Sequence, residues 1–160
     1  MKILHTEASC GWGGQEIRIL SEAQGLIERG HDVHLVCPPE ARIFTEAPRF
    51  GVPVEALPIG RKRLGGVLAM RAYLKQHPVD VINAHSSTDT WLAALACRSL
   101  ADAPPIVRTR HISAPLVDNR ATRWLYADAT RFIATTGESL RAQLLQTLHV
   151  APERVVSVPT

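Results

Sequence analysis

The sequence predicts an α/β fold, one parallel sheet with helices on both faces. Short apolar strands alternate with helical segments along the whole chain, with no run of strands alone. Strand–helix–strand units of this length need crossover connections, and crossovers build parallel sheets covered on both sides. The 160 residues, 46% of them hydrophobic and 21% charged, contain no internal repeat or low-complexity linker, so residues 1–160 read as one domain large enough to bury a core.

The elements follow in order. Residues 2–7 (KILHTE) read as a short buried strand. Residues 14–30 read as a helix, with Ile17, Leu20, Ala23 and Ile27 at helical spacing and Gly30 at its C-terminal cap. Residues 32–38 form a second strand, closed by Pro38 and Pro39, and 41–51 a short helix ended by Pro48 and Gly51. Residues 52–59 are a weaker strand, placed near a sheet edge by its prolines. A helix over 64–77 stops at Pro78, a strand over 79–86 follows, and 87–101 is the clearest helix, with Ser87 or Thr88 as N-cap. Then come a strand (105–111), a loop (113–120), a helix (121–129), a strand (131–136), a helix (138–149) and a last strand (154–160). The 138–149 helix carries a capping-box pattern, Thr135-x-x-Glu138.

Composition narrows the partners. The formal charge is +3, but only 5% of residues are aromatic and none alternate with Arg or Lys as a nucleic-acid platform requires. The most basic run, GRKRLGG at 60–66, suits an anionic substrate or a membrane surface. Cys10, Cys37 and Cys97 form no C-x-x-C pair, so neither a zinc site nor a disulfide framework is expected, and a reducing cytoplasm is the natural compartment. Cys37 and Cys97 lie in apolar segments and read as buried thiols. The N-terminus does not read as a signal peptide, and no run approaches the ~18 apolar residues that span a bilayer. No H-x-x-x-H, Asp-x-Asp or paired-carboxylate spacing makes a metal site, and Glu7 stands alone where a phospho-acceptor receiver needs several acidic residues.

In such sheets ligands bind beyond the carboxyl ends of the strands, so the residues after each strand are the candidates. After the first strand, SCGWGG places Gly13 and Gly14 at the mouth of a helix, where free N–H groups attract an anion and missing side chains admit it. The G-x-G-x-x-G fingerprint fails because its third glycine falls on Glu16, and no Walker lysine follows. The stretch is either a turn that needs positive φ or a ligand wall. After the fourth strand stand His85, Ser86 and Ser87, either a capping cluster or a site for a sugar hydroxyl or a proton. The fifth strand ends in Arg108, Arg110 and His111, either surface arginines or an anion site. Period-two alternation puts Arg108 and Arg110 on one face and Thr109 and His111 on the other, unless the chain turns at the end. Trp91, Leu92 and Leu95 read as helix core, and Trp124 and Tyr126 as packing a loop helix onto the sheet.

These motifs in this order, GWGGQE, ERGHDVHLVCP, DVINAHSSTDTWLAALA, VRTRHIS and FIATTGESLR, resemble the amino-terminal half of a family-4 glycosyltransferase over essentially the whole chain. HSSTD and RTRHIS are most similar to bacterial enzymes of lipopolysaccharide or other surface-glycan synthesis. The resemblance implies a Rossmann-like domain, the N-terminal half of a GT-B fold, in a retaining enzyme that moves a sugar from a nucleotide-diphosphate sugar to a hydroxyl of a glycan or glycolipid. It implies no cofactor and no metal in the fold itself. By the same resemblance His111 is the catalytic residue that meets the donor sugar. Gly13, Gly14 and Gln15 approach the donor or acceptor, and His85, Ser86 and Arg110 line the acceptor side. Arg61, Lys62 and Arg63 suit an anionic lipid acceptor or the inner face of the membrane, which makes the enzyme cytoplasmic or peripheral at that membrane. The family keeps most of the nucleotide pocket and an acidic E-x7-E motif in a carboxyl-terminal half, whereas this sequence ends at VSVPT. The chain is therefore expected to be inactive alone and to need that missing domain. The alternatives are a non-catalytic acceptor-binding or scaffold half of a split transferase, and a Rossmann-like module for another nucleotide.

Overall fold

The computed structural model describes residues 1–112 and 114–159. Residues 113 and 160, the first of the expected loop and the last of the expected final strand, lie outside that range.

Strand β1 (Lys2–Thr6) leads into α1 (Gly14–Glu28), β2 (Asp32–Cys37), α2 (Arg42–Glu46), β3 (Val54–Ala56), α3 (Leu64–Gln76) and β4 (Val81–Ala84). Helix α4 (Ser87–Arg98), β5 (Ile106–Arg110), α5 (Arg120–Arg123), β6 (Phe132–Thr135), α6 (Glu138–Leu148) and β7 (Val155–Ser157) complete the chain. The strands form one sheet in the order β3-β2-β1-β4-β5-β6-β7, each neighbouring pair parallel. β3 is an edge strand, as its prolines imply.

Covered on both faces, the strands alternate between two cores. In β1, Ile3 belongs to the core with Ile19, Leu20 and Ala23 of α1, while Leu4 belongs to the core with Met70 of α3 and Leu92 of α4. The chain winds from β1 out to β3, returns, and lays β4 on the other side of β1. That reversal opens a crevice beyond the ends of β1 and β4.

Several local expectations are corrected. The buried stripe of α1 is Glu16, Ile19, Leu20 and Ala23, which leaves Ile17 exposed, and Leu95 of α4 also faces outward. Gly30 does take a left-handed φ of 83° just past α1. The 41–51 segment is α2 plus one 3-10 turn, Ala47–Phe50, closed by Gly51 at φ 68°. The 121–129 helix is α5 followed by a π-helical turn, Trp124–Ala129. The N-cap of α4 is Ser86, because Asp89 in the first turn reaches back to its N–H. The Thr135–Glu138 capping box does not form. Gly137 is the N-cap of α6, and the Thr135 hydroxyl donates to the carbonyls of Gly137 and Val156. Cys37 and Cys97 are buried, as expected from their apolar settings.

Candidate functional site: a cleft at the strand ends

A cavity of about 380 Å³ opens beyond the carboxyl ends of the central strands. Of the residues singled out in the sequence, Gln15, His85, Ser86, Arg110 and His111 all line it. Gly13 and Gly14 stand beside Gln15 at the mouth of α1, as its N-cap and first residue. The positive-φ reading of these glycines is overturned. Gly13 has φ −171°, an extended value open to any residue, and the described glycines with positive φ are Gly30 and Gly51. Apart from its chain neighbours and the backbone of its own helix, no described atom lies within 4 Å of where a Gly14 Cβ would stand. Neither local backbone strain nor local packing therefore requires glycine at 14.

Period-two alternation holds through β5 and separates two polar clusters. On the α1 side, Thr109 donates to Asn83 Oδ1 at 2.7 Å, and Asn83 donates to Glu22 of α1. One step nearer the cleft, three imidazoles stand in a row. His5 Nδ1 and His85 Nε2 are 2.8 Å apart, and His85 Nδ1 and His111 Nε2 are 2.9 Å apart. Burial holds His5 down to about 4. It holds His85 well below the usual imidazole range, helped by the neighbouring His5 and His111. Burial and the charges of Arg18 and Arg108 push His111 to about 4. All three rings are neutral at pH 7, so of Arg108, Arg110 and His111 at this strand end only the two guanidiniums carry charge.

On the α4 side, Asp89 collects four donors: the Thr6 hydroxyl at 2.6 Å, the His85 N–H at 3.0 Å, and the N–H and hydroxyl of Ser86. Arg108 donates to Thr90 Oγ1 at 2.6 Å and to the Ser86 carbonyl, and Arg110 to the Tyr126 hydroxyl and the Ala114 carbonyl. Both arginines are only 5% exposed, which overturns the surface-arginine reading. Arg110 and His111 line one cavity although they leave the strand on opposite faces, because β5 ends at Arg110 and frees the next residue from the pleat.

Glu7 is fully buried after β1. It accepts from the Ser9 N–H at 2.7 Å and from Gln15 Nε2. Burial first, then the Asp89 charge, raises it to about 7. Asp89 and His5 escaped the sequence reading as site residues, and Glu7 entered it only as a lone acid that argued against a phospho-acceptor receiver. The signal for His5 is its register: it pairs with Asn83, two residues before His85, so alternation puts both imidazoles on one face.

Lys62 reaches Ser87 Oγ at 3.3 Å and lies 5.7 Å from the Trp91 ring centroid. Trp91 of α4 packs against Trp124 at 5.7 Å between ring centroids, so Trp124 holds the turn after α5 against that helix.

Residues 12–160 match the family model Glycosyltransferase Family 4. The chain belongs to that family.

Among solved structures, this family-4 domain is similar to Anabaena Alr3699/HepE in complex with UDP-glucose, at 17% identity and TM-score 0.79, over 99% of this chain and 43% of that one. A glycosyltransferase from Rickettsia africae gives 14% identity and TM-score 0.77, over 99% and 42%. The lipopolysaccharide outer core galactosyltransferase WaaB, in its apo form, gives 15% and 0.80, over 100% and 46%. The fold is thus the Rossmann-like half of a GT-B glycosyltransferase, and the chain spans less than half the length of these structures. A comparison with curated proteins found no match. Among the described residues no helix is long and apolar enough to cross a membrane.

Proposed function

We propose that this chain is the amino-terminal, acceptor-side half of a retaining enzyme that transfers a sugar from a nucleotide-diphosphate sugar to a hydroxyl of a lipopolysaccharide or other surface glycan. The observation that carries the reading is His111. It stands in the wall of the strand-end cavity, uncharged, with Nε2 taken by His85 and Nδ1 unbonded among the described residues. A neutral imidazole there makes one directed hydrogen bond to a sugar oxygen without adding charge beside a departing diphosphate.

Gly13 and Gly14 support the same reading. Local backbone geometry does not demand them, and at a helix mouth bare N–H groups favour an anion. The donor class is supported by family membership and by the UDP-glucose bound to the Anabaena protein. The nucleotide is gripped by a second domain, which the extra length of the solved relatives supports. His85, Ser86 and Arg110 then face the acceptor.

Arg61, Lys62 and Arg63 run directly into Leu64, 73% exposed, with Leu68, 56% exposed, one turn on. Cations beside exposed leucines suit the anionic inner face of a membrane. The enzyme is thus cytoplasmic and peripheral, and the triple variant Arg61→Ala/Lys62→Ala/Arg63→Ala should stop co-sedimenting with anionic vesicles. Unchanged sedimentation would remove the membrane role.

The transfer reading is tested by screening nucleotide-diphosphate sugars against the full-length protein. Turnover of at least one donor is expected, and none by residues 1–160 alone. A full-length protein that binds and turns over none of them overturns the reading.

A further inference from the structure

His5 lies in the floor of the sheet, is 0% exposed, and has no place in the reading above. Its ring lies parallel and edge to edge with that of His85, with an interplanar angle of 7° and centroids 5.0 Å apart, as an in-plane N···N hydrogen bond requires, and the His85 and His111 ring centroids follow at 5.2 Å. Each neutral imidazole carries one N–H and one lone pair, and each N···N bond needs one proton between its two nitrogens. His85 bonds at both nitrogens, so it donates through one and accepts through the other. The three tautomers are therefore tied. Either every ring is protonated at Nδ1, or every ring is protonated at Nε2.

We propose that His5 and His85 are positioning residues that lock His111 in its Nδ1–H form, so that it meets its ligand as a hydrogen-bond donor. This rests on His111 being the residue that meets the donor sugar. The two senses differ only at the ends of the row. At the cleft, water or ligand satisfies His111 Nδ1 in either sense. At the buried end, His5 Nε2 has no partner among the described residues. With protons on Nε2, that atom would be a buried N–H without an acceptor, a rarer situation than a bare acceptor. The buried end therefore decides the sense, and the bias passes through His85 to the cleft. Locked this way, His111 offers no lone pair to the cleft and is not a general base in the resting enzyme.

The test is 15N NMR of full-length protein labelled at histidine, without substrate. Expected are pyrrole-type Nδ1 and pyridine-type Nε2 on all three rings, with 15N–15N couplings across both N–H···N bonds. A pyrrole-type Nε2 on His111, rings of differing sense, or missing couplings would overturn the proposal. In His5→Ala, water enters the vacated space and can donate or accept, so the His111 resonances should move to the averaged positions of a tautomer mixture. An unmoved His111 signal in a folded His5→Ala protein would overturn the role of His5. Should that variant not fold, the wild-type spectrum alone decides. A locked row in a protein whose His111→Ala variant still transfers sugar at full rate keeps the lock and removes the role given to His111. Independent tautomers with an inactive His111→Ala variant do the reverse.

Discussion

On the α1 side of the sheet, His5, His85 and His111 are joined by one hydrogen bond at each junction, while on the α4 side Asp89 alone takes four donors. Both clusters meet at residues 85 and 86, yet they serve the cleft differently. The Asp89 cluster is over-determined. It caps α4, ties β1 to that helix through Thr6, and sits beside Arg108, itself held by Ser86 and Thr90. The imidazole row has two bonds for three rings and ends at an atom free to engage a ligand. The contrast is between a frame that ties helix to sheet and a row that holds one ring nitrogen out to a ligand.

The frame should be the costlier to break. Asp89→Ala strands four donors and removes a buried carboxylate that the Arg108 charge favours, and a loss of about 3–5 kcal/mol in urea unfolding is expected. A loss below about 1 kcal/mol, the size of an ordinary surface change, would mean that the four donors find other partners.

The pH dependence separates the row from the carboxylate beside it. The folded-state value of His5 is depressed from 6.5 to about 4, so the unfolded chain takes up its proton first. Its contribution is intact above pH 6.5 and is lost as pH falls to 4, by up to about 3 kcal/mol. His5→Leu should flatten that acid limb. Glu7 has the opposite sign. Its value rises from 4.5 to about 7 on folding, so stability is greatest below pH 4.5 and falls as pH rises through 7. Glu7→Gln should gain about 2 kcal/mol over the wild type at pH 8 relative to pH 5. Parallel pH profiles for wild type and both variants would contradict the two assignments.

The sequence made the strand ends legible because connection geometry forces helices between parallel strands and ligands to one end of them. His85, Ser86, Arg110 and His111 were found that way, Gln15 came from the family resemblance, and one cavity gathers all five. What stayed hidden needed register or reach. His5 and His85 are 80 residues apart and meet only once β1 is laid beside β4. Asp89 reads as an ordinary first-turn acid until its reach back to Ser86 moves the cap by one residue. Thr135 and Glu138 have capping-box spacing, yet the Thr135 hydroxyl is taken by the carbonyls of Gly137 and of Val156 in β7.

The smallest stability effect is expected at the mouth of α1. A Cβ at Gly14 meets nothing within 4 Å beyond its chain neighbours and its own helix, so Gly14→Ala should change stability by less than about 0.5 kcal/mol while raising the donor KM of the full-length enzyme. Gly66 is the contrast. A Cβ there would stand 3.0 Å from the Pro58 carbonyl oxygen, so Gly66→Ala should cost about 1–3 kcal/mol and leave the donor KM alone. Gly14→Ala with an unchanged KM would return this glycine to a purely structural role.

The most direct measurement is sugar transfer by full-length His111→Ala against the wild type, with unfolding midpoints compared in parallel. If the row ends in a contact to the donor sugar, kcat should fall by about a hundredfold or more at nearly unchanged stability. Transfer at the wild-type rate would contradict that contact.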